Sequence, residues 1–123
     1  MKAWIGATAL VGTLASGSAM ASDGNNLMSE CRSLIRFDDT GVLDEPFKVG
    51  KCIGVVNGVM QTLVMVDSEL PKDQRICLPA NGVSNGQAAR IVVKLMEEHP
   101  AQMSEDDGVL ITVALRLAFP CKK

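Results

Sequence analysis

Residues 84–121 read SNGQAARIVVKLMEEHPAQMSEDDGVLITVALRLAFPC and predict two helices joined by a short turn. Ser84, with Gln87 three positions later, forms a capping box, which satisfies free backbone N–H groups at the start of a helix. An apolar stripe with helical spacing follows and ends before Pro100. The next helix ends at Pro120, because proline cannot continue a helix. Two helices joined by a short turn are expected to lie antiparallel.

The last helix carries its own start signal. Ser104 is expected to cap it, and the acidic residues of the segment 105–107 fall in its first turn, where the helix dipole favours negative charge. Apolar residues at helical spacing then predict which side faces the core. The predicted inner face consists of Val109, Leu110, Val113, Ala114 and Leu117.

Two more helices are predicted before this pair. The first covers about residues 26–36 and is expected to be capped by Asn25 or Asn26. The following segment, 37–46, has the composition of a loop. The second helix covers about residues 49–69 and is expected to end at Pro71.

The second helix is apolar on nearly all sides, which predicts a central position in a bundle. Gly50, Gly54 and Gly58 recur at four-residue intervals on one of its faces. Because glycine weakens a helix, a packing reason is expected at these positions. The favoured interpretation is close approach of a neighbouring helix of the same chain, and the alternative is a homodimer face.

The fold predicted from these patterns is all-α, a small bundle of four to five helices.

The amino terminus predicts export. Residues 1–21 have one lysine, an apolar run and then the small residues Ala19 and Ala21, the order found in a secretory signal peptide. Cleavage is expected between Ala21 and Ser22. The apolar run is too short to span a bilayer. The mature chain, residues 22–123, is therefore predicted to be a single exported domain with no membrane attachment.

Four cysteines remain after the predicted cleavage, and an even number in a small exported chain indicates disulfides. Four cysteines can pair in three ways, and spacing alone does not choose among them. The antiparallel arrangement of the helices does indicate a pairing. Cys77 precedes the third helix and Cys121 follows the fourth, so both are expected at one end of that pair. By the same reasoning Cys31 is expected to face Cys52.

Several classes of function are disfavoured. The full chain has a formal net charge of −2 and no run of basic residues, which argues against nucleic-acid binding. No cysteine pair has the close spacing of a zinc or redox site, and the single histidine, His99, is isolated. His99 is instead expected to interact with carbonyl groups at a helix end. No serine has the surroundings of a hydrolase nucleophile. No catalytic residues, metal or cofactor are therefore predicted, and the chain is not expected to be an enzyme.

The order of short motifs resembles a known family. GNNLMSEC, CIGVVNGV, CLPANGVSNGQ, EEHP and a final AFPC follow one another between Gly24 and Cys121. In this order they resemble the Rap/Tai family of type VI secretion amidase immunity proteins. The resemblance implies a small, helical, disulfide-containing periplasmic protein that is often dimeric. It also implies that the protein binds and blocks a peptidoglycan amidase.

An inhibitor needs a rigid surface that can enter a cleft, and the segment 67–81 is the first candidate. This segment is polar, contains two prolines and is fixed by the expected bridge of Cys77. The second candidate is the segment 37–46. The alternative function is a periplasmic helical chaperone or structural module with no toxin partner. The expected contacts with an amidase are Glu69, Lys72, Asp73, Gln74 and Arg75.

Overall fold

The computed structural model describes residues 22–122. The predicted signal peptide and its cleavage site lie outside the described residues. The all-α prediction is confirmed: the described chain forms four α-helices and three short 3₁₀ turns, and it has no strand. The α-helices are α1 (Gly24–Thr40), α2 (Pro46–Met65), α3 (Asn85–Glu98) and α4 (Asp107–Ala118). The 3₁₀ turns cover Asp67–Glu69, Lys72–Gln74 and Pro100–Gln102.

Helix α1 is longer than predicted at both ends. Its cap is Asp23, whose carboxylate accepts hydrogen bonds from the backbone N–H groups of Asn25 and Asn26, so neither asparagine is the cap. Its last turn includes residues 37–40, which were predicted to be a loop. The helix stops at Gly41, which has a φ of 71° and donates its backbone N–H to the carbonyl of Phe37. Glycine adopts this left-handed conformation without steric cost.

Helix α2 starts earlier and ends earlier than predicted. It begins at Pro46, where the missing N–H of proline costs no helical hydrogen bond, and it ends at Met65 rather than near Glu69. Pro71 therefore does not terminate it. The chain turns into the first 3₁₀ segment, Asp67–Glu69, before Pro71 is reached.

The predicted start of α3 is confirmed, and that of α4 is wrong. The Ser84 hydroxyl accepts a hydrogen bond of 3.1 Å from the backbone N–H of Gln87. In α4 the cap is Asp106, which accepts from the backbone N–H of Gly108 at 2.9 Å. Ser104 is displaced from this role because the chain first makes the 3₁₀ turn that begins at Pro100.

Each of the four helices contacts the other three, and the most extensive pairing is that of α1 with α2. Their shared interface contains the disulfide between Cys31 and Cys52, whose side chains are completely buried. On each helix, the buried residues recur at the spacing of one helix face, and together these faces form the core. The largest fully buried side chains are Leu27, Met96, Ile111, Leu115 and Val92.

The second disulfide joins Cys77 to Cys121, as predicted, with a Cα–Cα distance of 4.9 Å. Neither cysteine lies in a helix. The bond connects the segment before α3 to the segment after α4, and beside it Ile76 and Pro120 form an isolated antiparallel bridge. The C-terminal segment is thus held to the chain that precedes α3.

The glycine face of α2 does not have the role that was favoured for it. A Cβ atom added to Gly50, Gly54 or Gly58 would meet no described atom within 4 Å apart from the adjacent backbone of its own helix. The prediction of close approach by a helix of the same chain is therefore wrong. The buried residues of α2 lie on another face, and they are Val49, Cys52, Val56, Met60 and Leu63.

The inner face predicted for α4 is partly wrong. Leu110 and Ala114 are buried as expected, but Val109, Val113 and Leu117 are exposed. Their places in the core are taken by Ile111 and Leu115. Because α4 is apolar all round, its periodicity could not select one face, and the contacts with α2 and α3 decided it.

Candidate partner-binding site

The segment 67–77 is an ordered loop built from two 3₁₀ turns separated by Pro71. Its inner side is anchored by Ile76, which is only 5% exposed and belongs to the core. Next to this anchor, the backbone N–H of Cys77 donates to the carbonyl of Phe119 at 2.9 Å. The Cys77–Cys121 disulfide closes the same end covalently.

Two arginines hold the loop in place: Arg75, which belongs to the loop, and Arg116, which belongs to α4. Arg75 Nε donates to the carbonyl of Leu70 at 2.8 Å, which closes the second half of the loop on itself. Arg116, from α4, donates its Nε to the carbonyl of Gln74 at 2.9 Å. Hydrogen bonds from a charged donor are stronger than neutral ones, so Arg75 stiffens the loop and Arg116 fixes it against the bundle.

The five predicted contact residues differ in their exposure to solvent. Glu69, Lys72, Asp73 and Gln74 are exposed on the outer side of the loop. Arg75 is half-buried, and its guanidinium is engaged with the backbone of the loop. The structure therefore gives Arg75 a positioning role within the loop. The other four residues present more of their surface to solvent than Arg75 does.

A cleft of about 590 Å³ lies at the base of this loop, beside the disulfide. It is lined by three cationic side chains and two acidic ones together with both cysteines. These residues are Lys72, Arg75, Lys122, Asp67, Asp73, Cys77 and Cys121.

The second candidate, the segment 37–46, is a shorter loop than expected because α1 extends to Thr40. Its tip is apolar: Val42 is 62% exposed and Leu43 is 49% exposed. Its end is fixed by Glu45, which is paired with Lys48 at 2.6 Å and with Arg36 of α1. The hydrogen bond from Lys48, with further contributions from Ser33 and Arg36, lowers the pKa of Glu45 below its ordinary value.

An open groove between α2 and α4 was not expected from the sequence. Gly58 and Thr62 line one side, and Val109 and Val113 line the other. Its volume is about 590 Å³, comparable to that of the cleft beside the disulfide. The all-round apolar pattern of both helices was the signal that some apolar residues must remain outside, but it did not identify which.

Three further features of residues 22–122 concern the histidine, metal ligands and membrane spans. His99 Nδ1 lies 2.9 Å from the carbonyl oxygen of Leu95, as expected for a residue at the end of a helix. Among residues 22–122, no group of histidine, cysteine and acidic side chains is arranged to hold a metal ion. No helix in this range is both long enough and apolar enough to cross a membrane.

Comparison with known families assigns this bundle to a class of proteins. Residues 23–121 match the model of the family described as Rap1a immunity proteins. The match covers all four helices and both disulfides, and the chain belongs to this family. Membership implies an immunity protein, whose partner is a toxin. No curated protein and no solved structure is significantly similar to the chain.

Proposed function

We propose that this chain is a periplasmic immunity protein that binds and inhibits a peptidoglycan amidase delivered by a type VI secretion system. The observation that carries this proposal is the family match over residues 23–121. The signal-peptide pattern in residues 1–21 supports a periplasmic location, where peptidoglycan is cut. In this role the chain acts by occupying a surface of the amidase and performs no catalysis itself.

The inhibitory surface in this proposal is the 67–77 loop. Its backbone is held by the disulfide, by Arg75 and by Arg116, so little conformational freedom remains to be lost on binding. Its exposed side chains combine both signs of charge with an amide. Such groups suit a polar catalytic cleft better than an apolar groove. The contacts assigned to the amidase are Glu69, Lys72, Asp73 and Gln74.

The proposal includes a homodimer formed through the α2–α4 face. Val109, Val113 and Leu117 form an exposed ridge with four-residue spacing, and the open glycines of α2 have the same spacing. A ridge that repeats every four residues fits a groove of the same repeat on another helix. Because one copy carries both features, two copies can pair symmetrically.

The alternative function is a periplasmic chaperone or structural module without a toxin partner. The exposed Val42, Phe47 and Met65 side chains favour it, because apolar surface of this kind can bind many clients. A chaperone would bind weakly and without a fixed ratio. An immunity protein would form a tight complex with one partner.

The test begins with tagged chain 22–123, oxidised, as bait in a lysate of a strain that carries its native secretion system. A captured protein that cleaves peptidoglycan is then assayed with increasing amounts of the chain. The expected result is complete inhibition at a fixed stoichiometric ratio. Capture of many weak clients with no inhibited amidase would move the function to the chaperone.

A matched pair of variants locates the inhibitory surface. Replacing Lys72, Asp73 and Gln74 together by alanine is expected to weaken inhibition at least about 10-fold, the effect of losing one well-placed contact. The control replaces Lys94 and Glu98, an exposed ion pair on α3, by alanine and is expected to change nothing. Equal inhibition by both variants would remove the loop from the interface.

The dimer has a separate test. Val113→Glu places a charge in the α2–α4 groove and is expected to convert a dimer to a monomer in sedimentation experiments. Lys94→Glu, on α3, serves as its control. A wild-type chain that sediments as a monomer at micromolar concentrations would reject the dimer without affecting the proposed inhibition.

A further inference from the structure

The two disulfides differ in access to solvent. Cys31 and Cys52 are both 0% exposed, whereas Cys77 is exposed and Cys121 is half-buried. We propose that the Cys77–Cys121 bond is a site of thiol–disulfide exchange, which a dithiol reductant opens in the folded protein while Cys31–Cys52 stays closed. This inference is independent of the proposed inhibition of an amidase.

The cleft beside the exposed bond gives an attacking thiol a route to it. Both cysteines line this cleft, which has a volume of about 590 Å³. Lys72, Arg75 and Lys122 also line it and outnumber the two carboxylates there. The attacking species in disulfide exchange is a thiolate, so nearby cations favour its approach. The buried bond has no comparable access, because its sulfur atoms lie inside the α1–α2 interface.

The structure also indicates that opening this bond leaves the bundle folded. Cys77 and Cys121 are not members of the hydrophobic core, and neither lies in a helix. Ile76 remains buried beside them, and Arg116 still holds the carbonyl of Gln74. Reduction therefore removes the covalent link between the 67–77 loop and the C-terminal segment, whose remaining contacts are non-covalent.

The exchange balances as a two-electron reduction. One thiolate of the dithiol forms a bond to one Sγ atom, the Sγ–Sγ bond breaks, and the other cysteine leaves as a thiolate. The second thiol of the reductant then attacks the mixed disulfide and releases the remaining cysteine. The dithiol is oxidised to its own disulfide, and its two protons end on Cys77 and Cys121.

The main experiment measures the reduction rate of each bond. Oxidised chain 22–123 is exposed to dithiothreitol at neutral pH, samples are quenched with an alkylating agent, and labelled cysteines are identified by peptide mass spectrometry. Cys77 and Cys121 are expected to be labelled at least about 100-fold faster than Cys31 and Cys52, because the latter require the core to open. Far-UV circular dichroism should remain unchanged while only the first pair is labelled.

Two results would overturn the proposal. Equal labelling rates for all four cysteines would mean that both bonds open only on global unfolding. Loss of the helical signal together with the first bond would mean that Cys77–Cys121 is required to keep the bundle folded. Both readouts are obtained without a toxin, so their outcome is separate from the test of the proposed function.

A second arm tests the cleft as the route of attack. Lys72→Glu combined with Lys122→Glu reverses two of its charges, and Lys94→Glu on α3 is the control. With the anionic thiol glutathione, the double variant is expected to react several-fold more slowly than wild type, and with the cationic thiol cysteamine it should react faster. The control should match wild type with both thiols. Unchanged rates in the double variant would exclude this cleft as the route.

Discussion

The two disulfides stand in opposite surroundings, although they belong to one small bundle. Cys31–Cys52 joins two helices inside the core, where its sulfur atoms are packed on every side. Cys77–Cys121 joins two irregular segments near the surface, beside an open cleft. The first bond is part of the packing, whereas the second mainly restrains a loop and a terminus. A covalent link can therefore serve either stability or local order in the same domain.

Loop length and burial lead to opposite expectations about which of the two disulfides contributes more to stability. The cysteines are separated by 21 residues in the first bond and by 44 in the second. Restriction of the unfolded chain alone would make them worth about 3 and about 4 kcal/mol. Burial adds a packing contribution only to the first bond. Measuring the loss of stability when each disulfide is removed shows whether restriction of the unfolded chain or packing in the core contributes more.

The largest effect is expected from replacing Cys31 and Cys52 by alanine. The free energy of unfolding should fall by about 5 kcal/mol, from lost restriction of the unfolded chain together with a cavity in the core. Urea denaturation of chain 22–123, followed by circular dichroism, measures this change. A loss smaller than that caused by removing the other bond would show that burial contributes little.

Replacing Cys77 and Cys121 by alanine is expected to cost about 3 kcal/mol, less than the loop length alone predicts. Part of the restriction is retained, because Ile76 and the Arg116 hydrogen bond still hold the loop. The helical signal should be intact, and amide hydrogen exchange should accelerate in residues 67–77 only. Faster exchange throughout α1 and α2 would contradict the view that the Cys77–Cys121 bond mainly restrains the loop and the C-terminal segment.

Replacing Gly24 by alanine adds a single methyl group to a closely packed region. A Cβ atom at this position would lie 2.8 Å from the carbonyl oxygen of Met103 and 2.7 Å from Leu110 Cδ1. Because one of these neighbours is backbone, Gly24→Ala is expected to lower the free energy of unfolding by about 2 kcal/mol. Denaturation in urea provides the measurement, and an unchanged midpoint would mean that the N-terminal segment moves freely.

Gly54→Ala is the matched change on the open face, and the opposite sign is expected. In the monomer the new methyl group meets no described atom outside its own helix within 4 Å, so only the higher helix propensity of alanine acts at concentrations too low for the proposed dimer. The free energy of unfolding of the monomer should rise by about 1 kcal/mol or less. Destabilisation of the monomer in the same urea experiment would contradict an open face, whereas destabilisation only at concentrations at which the chain dimerises would support the α2–α4 interface.

The smallest effect is expected at Glu45, which links α1 to the start of α2. Its pKa is lowered in the folded state, mainly by Lys48, so its ionised form stabilises the fold. That stabilisation is present above the ordinary pKa of 4.5 and is lost as the pH falls through the lower folded value. Wild type should therefore exceed Glu45→Gln in stability at neutral pH, and the difference should vanish once the pH lies below the folded pKa. A difference that is independent of pH would assign the effect to packing.

The predictions from sequence were most accurate where the signal was local. Ser84 and the spacing after it located α3, and the antiparallel order of the helices indicated both disulfide pairs. The candidate site was predicted only in part. The segment 67–81 was chosen as a candidate from its polarity and its two prolines, but nothing in its composition revealed that Arg75 turns back to bind Leu70.

The sequence by itself determined the all-α class, the four helices and the pairing of the cysteines. These properties follow from caps, prolines and apolar spacing, which act within a few residues of the chain or through the order of its elements. Only the tertiary structure decided that the glycine face of α2 and the ridge from Val109 to Leu117 lie outside. Helices that are apolar on all sides carry no preferred face, so the choice depends on which surfaces fit the neighbouring helices best.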